Sequence, residues 1–285
     1  MVNRKRSIGA FFTAFILIQG CQSSDSTLTS SSAPSPTEWR NYAWSDWGAH
    51  TKSNNGDHDP EYLLVDLMDP LPGKSGADTQ SELDRLKGKH PDAEFICYMT
   101  VGSIEKYRTD AGNGLNVWDE LKHDCTSPYH GTNSADEKSC EGKDQSILPI
   151  MKDWIDQIAE FGECEGVEFD NMDLLNPKTS NKLADYAKGK GLKVALKNDF
   201  SSVKKGKLDL DLFDYWVMER CMEFKHDGTN YGCQLAESFR EGSDKPVFAV
   251  EYGTHNRWKA CNKDKIVNQG LNFHFETGGT FRTCD

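Results

Sequence analysis

The chain has 285 residues, and its 45 Asp and Glu outnumber 33 Lys and Arg, for a formal net charge of −12. A surface of that sign is repelled by phosphate backbones, which excludes nucleic acid as a partner. It suits a cationic substrate through steering, or it serves only to keep the protein in solution.

Residues 1–21 read as an export signal. Arg4, Lys5 and Arg6 open it, and Ile8 to Ile18 form an apolar core too short to span a bilayer as a lasting helix. The segment ends Ile18-Gln-Gly-Cys21, which resembles a bacterial lipobox. Cys21 is therefore the expected lipidation site, and membrane contact is expected only there. A plain cleaved signal with an incidental cysteine is the alternative. The Ser/Thr/Pro-rich residues 22–37 read as a tether, and residues 38–285 suit one α/β domain. The expected location is the bacterial cell surface, the periplasm or the medium.

Of nine cysteines, eight remain once Cys21 is set aside, and an even number in an exported protein suggests disulfides. Local pairs Cys125–Cys140, Cys221–Cys233 and Cys261–Cys284 would leave Cys97 with Cys164, although sequence leaves the connectivity open. No zinc is expected, since no C-x2-C pair and no H-x3-H companion occurs.

Strands and helices then alternate. Trp39–Trp44 opens the set of strands, and Tyr62–Leu67 is the second. A helix follows over Ser81–Lys89 with Ser81 as its cap, and Glu94–Thr100 is the third strand. The polar stretch Asp110–Ser146 reads as a stapled loop excursion. From Ile147 to Phe161, apolar residues recur at helical spacing, and Gly162 stops the helix. Gly166–Phe169 is a strand, Thr179–Lys190 a helix ending at Gly191, and Lys193–Leu196, Tyr215–Met218, Pro246–Val250 and Leu271–Phe275 are strands. Eight strands with such connections predict a (β/α)8 barrel, with an open doubly wound sheet as the alternative. No Gly-rich phosphate loop follows an early strand, which weighs against a nucleotide site.

Carboxylates and amides crowd the strand ends, where parallel α/β folds place their chemistry. Asp66 follows the second strand, and Glu105 and Arg108 the third. Glu168, Asp170, Asn171 and Asp173 mark the fourth, Lys197, Asn198 and Asp199 the fifth, Glu219 the sixth, and Glu251 and Tyr252 the seventh. Asp173 and Asp199 singly read as caps. Glu168, if it alternates inward, needs a partner such as Lys197. Asp209-Leu-Asp211 lacks the spacing of a calcium loop and reads as a solvated turn.

Five motifs carry a resemblance. Cys97-Tyr-Met-Thr-Val-Gly-Ser-Ile-Glu-Lys-Tyr-Arg108, Val167-Glu-Phe-Asp-Asn-Met-Asp173, Gly191-Leu-Lys-Val-Ala-Leu-Lys-Asn-Asp199, Phe213-Asp-Tyr-Trp-Val-Met-Glu-Arg-Cys221 and Val247-Phe-Ala-Val-Glu-Tyr252 follow in order. They resemble segments of glycoside hydrolase family 114, the endo-α-1,4-polygalactosaminidases. The resemblance implies a (β/α)8 barrel that hydrolyses α-linked galactosamine polymers, with Asp170 and Glu219 as the catalytic carboxyls. Phe169, Met218 and Arg220 depart from the family pattern, and these changes are expected to fall on subsite contacts.

Cleavage needs one protonated carboxyl and one ionised carboxylate. Asp170 is the expected ionised partner, beside Asn171 and Lys197. Glu219 is the expected acid, its pKa expected to be raised by the apolar Trp216 and Met218 and by neighbouring carboxylates; the reverse assignment stays open. Asp66, Tyr98, Glu105, Arg108, Glu168, Asn171, Asp173, Lys197, Asn198, Glu251 and Tyr252 are the expected substrate contacts. Tyr98, Trp118, Tyr252 and Trp258 are candidates to stack on sugars. The expected partner is a cationic polysaccharide, the expected state a monomer, and no cofactor is required. Two rivals remain: a glycan-binding lipoprotein without catalysis, and a glycosidase for another polysaccharide.

Overall fold

The computed structural model describes residues 42–45, 62–66, 76–106, 117–128, 135–221, 233–235, 239, 243, 245–252, 272–276 and 281–282. The expected signal, Cys21 and the tether lie outside the described residues, as do Arg108, Trp258, Cys261 and Cys284. Among the described residues no helix is long and apolar enough to cross a membrane.

Among the described residues eight strands run parallel and join the sheet in chain order: β1 (Tyr42–Ser45), β2 (Tyr62–Val65), β3 (Glu94–Thr100), β7 (Gly166–Asp170), β8 (Lys193–Lys197), β9 (Tyr215–Glu219), β10 (Val247–Tyr252) and β11 (Asn272–Glu276). A short β12 (Phe281–Arg282) closes the row antiparallel to β11. All eight parallel strands overlap the predicted ones. A parallel sheet that grows strand by strand, with helices between, is the pattern of an α/β barrel.

Alternation along the strands divides the core in two. Leu64, Ile96, Tyr98, Ala195, Tyr215, Val217, Phe248 and Val250 pack together on one face. The other face carries Leu63, Val65, Phe95, Cys97, Met99, Val167, Phe169, Val194, Leu196, Trp216 and Met218. It packs on the helices α1 (Gly76–Lys89), α3 (Asp144–Phe161) and α4 (Pro177–Gly189). The face of α3 that meets the sheet is Ile147, Met151, Trp154, Ile155 and Ile158, as its spacing predicts. Each such side chain contributes about 1.5–3 kcal/mol on burial. Gly162 ends α3 at φ 68°, donating its N–H to the Ile158 carbonyl. Asn176 caps α4 through Lys178 N–H, and Pro177 takes the first helical position, where its missing N–H costs nothing.

Two expectations are corrected. Ser81 does not cap α1, which starts at Gly76, because nothing in Ala77 to Gln80 breaks a helix. The excursion after β3 is not an irregular loop over its described residues. Its described part holds α2 (Val117–Leu121) and a small antiparallel sheet of β4 (Ser103–Glu105), β6 (Glu137–Ser139) and β5 (Ser127–Pro128). Val117, Leu121 and the Cys125–Cys140 disulfide are buried there, an apolar set too sparse to show a period. Cys97–Cys164 and Cys221–Cys233 are also bonded, in line with the pairs read from spacing.

One glycine is required by contact. A Cβ on Gly102, just past β3, would stand 1.9 Å from the Asn171 carbonyl oxygen and 2.9 Å from Leu174 Cβ. Both obstacles lie in the turn after β7. Gly102→Ala should therefore lower stability by more than about 2 kcal/mol, read from urea unfolding.

Candidate active site

Strands β3, β7 and β9 bring Tyr98, Glu168, Asp170 and Glu219 around one ammonium at the end of β8. Lys197, the last residue of β8, is 2% exposed. Its Nζ lies 3.1 Å from Asp170 Oδ2, 3.4 Å from Glu219 Oε1 and 3.5 Å from Glu168 Oε1. Period-two alternation explains the convergence: Glu168 and Asp170 share one face of β7, and Lys197 and Glu219 end β8 and β9, the next two strands of the sheet. The ammonium also lies 5.2 Å over the Tyr98 ring.

Asp170 is anchored at both oxygens. Tyr98 Oη donates to its Oδ2 at 2.7 Å, and Asn171 N–H donates to its Oδ1 at 2.8 Å. Burial pushes its pKa up, but the Lys197 charge, the Tyr98 hydroxyl, the Lys197 hydrogen bond and the Asn171 N–H outweigh it, so the net shift is downward. Tyr98 moves the other way, raised by burial first and then by the Asp170 charge.

Glu219 is held from β8. Its backbone N–H donates to Asn198 Oδ1 at 2.8 Å, and Asn198 Nδ2 lies 3.4 Å from Glu219 Oε2. Its side chain is 26% exposed against 12% for Asp170, so Glu219 stands nearer solvent. Trp216 and Met218 do not flank it. Both alternate to the opposite face of β9, into the outer core, and Trp216 Nε1 donates to the Asn198 carbonyl. Phe169 and Met218 therefore depart from the family pattern in the outer core and not at the sugar face. Arg220 alone of the three is exposed.

Each of the three strand ends turns through the left-handed region: Asn171 at φ 61°, Asn198 at φ 55° and Arg220 at φ 55°. Asn accepts this conformation at low cost, whereas Arg does not. Asn171 is locked by Nδ2 bonds to Thr100 Oγ1 (2.9 Å) and Ser103 Oγ (3.0 Å). Thr100 and Ser103 were not among the expected site residues. Hydroxyls either side of Gly102 at a strand end were the available signal.

The remaining expected residues are placed as follows. Asp66 is buried at the end of β2. Glu105 lies on β4, where its charge acts on Tyr98. Asp173 is exposed in the 3-10 turn after β7. Glu251 and Tyr252 end β10, in register with Phe275 and Glu276 of β11. Trp118 packs on the outer core beneath Lys138 Nζ, away from this cluster. Asp199 caps α5 (Phe200–Lys204) through Ser202 N–H, as its position suggested, and Asp209 caps the turn over Leu210–Leu212. Among the described residues no group of acids, His or Cys is arranged to hold a metal.

Carboxyls and a lysine gathered at the C-terminal strand ends of an α/β barrel mark a barrel enzyme. The model of glycoside-hydrolase family GH114 matches residues 30–279, and the chain belongs to that family. It is a glycoside hydrolase. None of the curated proteins matches it. An α-amylase from Lactobacillus plantarum superposes with TM-score 0.51 at 9% identity, covering 85% of this chain and 72% of that one. This likeness shows the fold alone. D-psicose 3-epimerase from Clostridium cellulolyticum H10 aligns with TM-score 0.42 at 9% identity, over 86% of this chain and 84% of that one. Ribulose-1,5-bisphosphate carboxylase/oxygenase from Pyrococcus horikoshii OT3 aligns with TM-score 0.40 at 11% identity over 77% of this chain, which spans 47% of that one.

Burial raises the Asp199 carboxyl to about 6, and its Oδ2 has no hydrogen-bond partner among the described residues. A raised folded pKa stabilises below the unfolded value, and that contribution is lost as pH rises through about 6. Asp199→Asn keeps the cap. It should flatten the fall in stability between about pH 4 and pH 7, measured by thermal melts across that range.

Proposed function

We propose that this glycoside hydrolase cleaves α-1,4-linked galactosamine-containing polysaccharide internally, on a closed eight-stranded barrel, with Asp170 and Glu219 as the reacting pair. The observation that carries the reading is that both carboxyls meet the same buried Lys197 Nζ, within a chain of family GH114. Export, with Cys21 as a lipid anchor, completes the proposal. The three disulfides are compatible with an oxidising compartment.

Asp170 is the ionised partner and Glu219 the acid. The contacts to Lys197 of 3.1 Å and 3.4 Å cap the separation of Asp170 Oδ2 from Glu219 Oε1 at their sum. That favours the spacing of a retaining pair, about 5–5.5 Å, over the about 6.5–9.5 Å of an inverting one. Asp170 Oδ2 is occupied by Tyr98 and Lys197, which leaves Oδ1, met among the described residues by Asn171 N–H, to reach the anomeric carbon. Glu219 gives its proton to the glycosidic oxygen as the carbon–oxygen bond breaks and the Asp170 bond forms. Water then attacks the anomeric carbon, yielding its proton to Glu219 and releasing Asp170. A protonated amino sugar would pair with the excess of carboxylates over cations in this cluster.

Reducing-end release from partly deacetylated α-1,4-galactosamine polymer tests the substrate and the pair together. Wild type should release ends, and Asp170→Asn and Glu219→Gln should each be slower by about 10²–10⁴-fold. Near-normal activity in either variant removes that residue from the pair. Binding without release would indicate a glycan-binding protein, and neither would indicate another polysaccharide. Proton NMR of the first product should show the α-anomer; the β-anomer would reverse the retaining assignment.

A further inference from the structure

Glu168 is a charge that the reaction above does not use. It is 0% exposed, one residue before Phe169 and two before Asp170 on β7, so it sits beneath the reacting pair. Its Oε1 lies 3.5 Å from Lys197 Nζ, the same ammonium that meets Asp170 and Glu219. A carboxylate with no exposed surface does not reach a sugar. A buried carboxylate stays ionised where a cation or hydrogen-bond donors hold it, and Lys197 is such a cation.

The consequence is electrostatic. Lys197 beside Asp170 and Glu219 alone would favour ionisation of both, leaving no acid for the leaving group. With Glu168 also ionised, one positive charge faces three carboxyls, and ionising all three leaves the cluster with net charge −2. One carboxyl therefore retains a proton to higher pH. We propose that Glu168 is a positioning residue of the catalytic centre, a fixed buried anion that offsets Lys197 and so keeps a proton on the Asp170–Glu219 pair. This rests on those two as the reacting pair. Among the described residues, the other titratable groups whose charges or hydrogen bonds meet the cluster include Tyr98 on β3, Glu105 on β4 and Tyr215 on β9. Tyr215, raised by burial first, also feels the Glu168 charge.

The test is the pH dependence of kcat/KM for wild type, Glu168→Gln and Glu168→Asp. Glu168→Gln should move the alkaline limb downward by about one to two pH units, the size expected of a unit charge a few ångströms away. Glu168→Asp, which keeps the charge, should return the limb toward wild type even with a lower maximum. A Glu168→Gln profile reduced evenly at all pH, with its limbs unmoved, overturns the proposal and leaves only a structural role. Loss of the Asp170–Glu219 pairing instead would show as activity surviving Glu219→Gln. If Glu168→Gln does not fold, or wild type cleaves no polymer offered, carbon-13 NMR titration of the wild-type carboxyls decides. One buried glutamate ionised throughout about pH 5–8, while the pair shares a proton, supports it; Glu168 protonated in that range overturns it.

Discussion

One ammonium inside a parallel sheet organises this molecule. Lys197 Nζ lies within 3.5 Å of Glu168, Asp170 and Glu219, contributed by the two strands flanking its own. Taking so many charges out of water is costly unless they meet, and meeting demands the register observed. In that register Phe169 stands opposite Leu196, and Lys197 opposite Val217. A slip of one residue would turn each charge into the outer core and each outer apolar residue into the barrel. The ion cluster and the hydrophobic pattern therefore specify the same alignment.

The backbone around the cluster is held as firmly as the side chains. The turns after β7, β8 and β9 all enter the left-handed region. The first of them is pressed against Gly102 and tied by Asn171 to two hydroxyls. The Asn171 N–H that this turn presents is the one that Asp170 Oδ1 accepts. Asn198 holds Glu219 in the opposite sense, its side-chain Oδ1 accepting the Glu219 backbone N–H. Rigid strand ends, not mobile loops, set the positions of the two carboxyls.

The two-faced sheet also explains which sequence departures matter. Phe169 and Met218 flank the carboxyls in the chain but lie across the sheet from them. Their neighbours are α-helices, and their substitution changes packing on that side. Arg220, by contrast, is exposed at the rim in a conformation unusual for its residue type.

The sequence by itself determined the eight parallel strands, the stops at Gly162 and Gly191, and the carboxyls at the strand ends. These signals are local: apolar runs, helical spacing, turn residues and short motifs are written within a dozen neighbouring positions. Tertiary structure alone decided the rest. The described part of the excursion after β3 proved to hold a short helix and a small sheet, because pairs such as Ser103 with Ser139 join distant positions. Trp216 and Met218 proved to face away from Glu219. Glu168, Asp170 and Glu219 proved to share Lys197. Such facts depend on which strands become neighbours and in what register, and the charge a buried carboxyl carries depends on that neighbourhood.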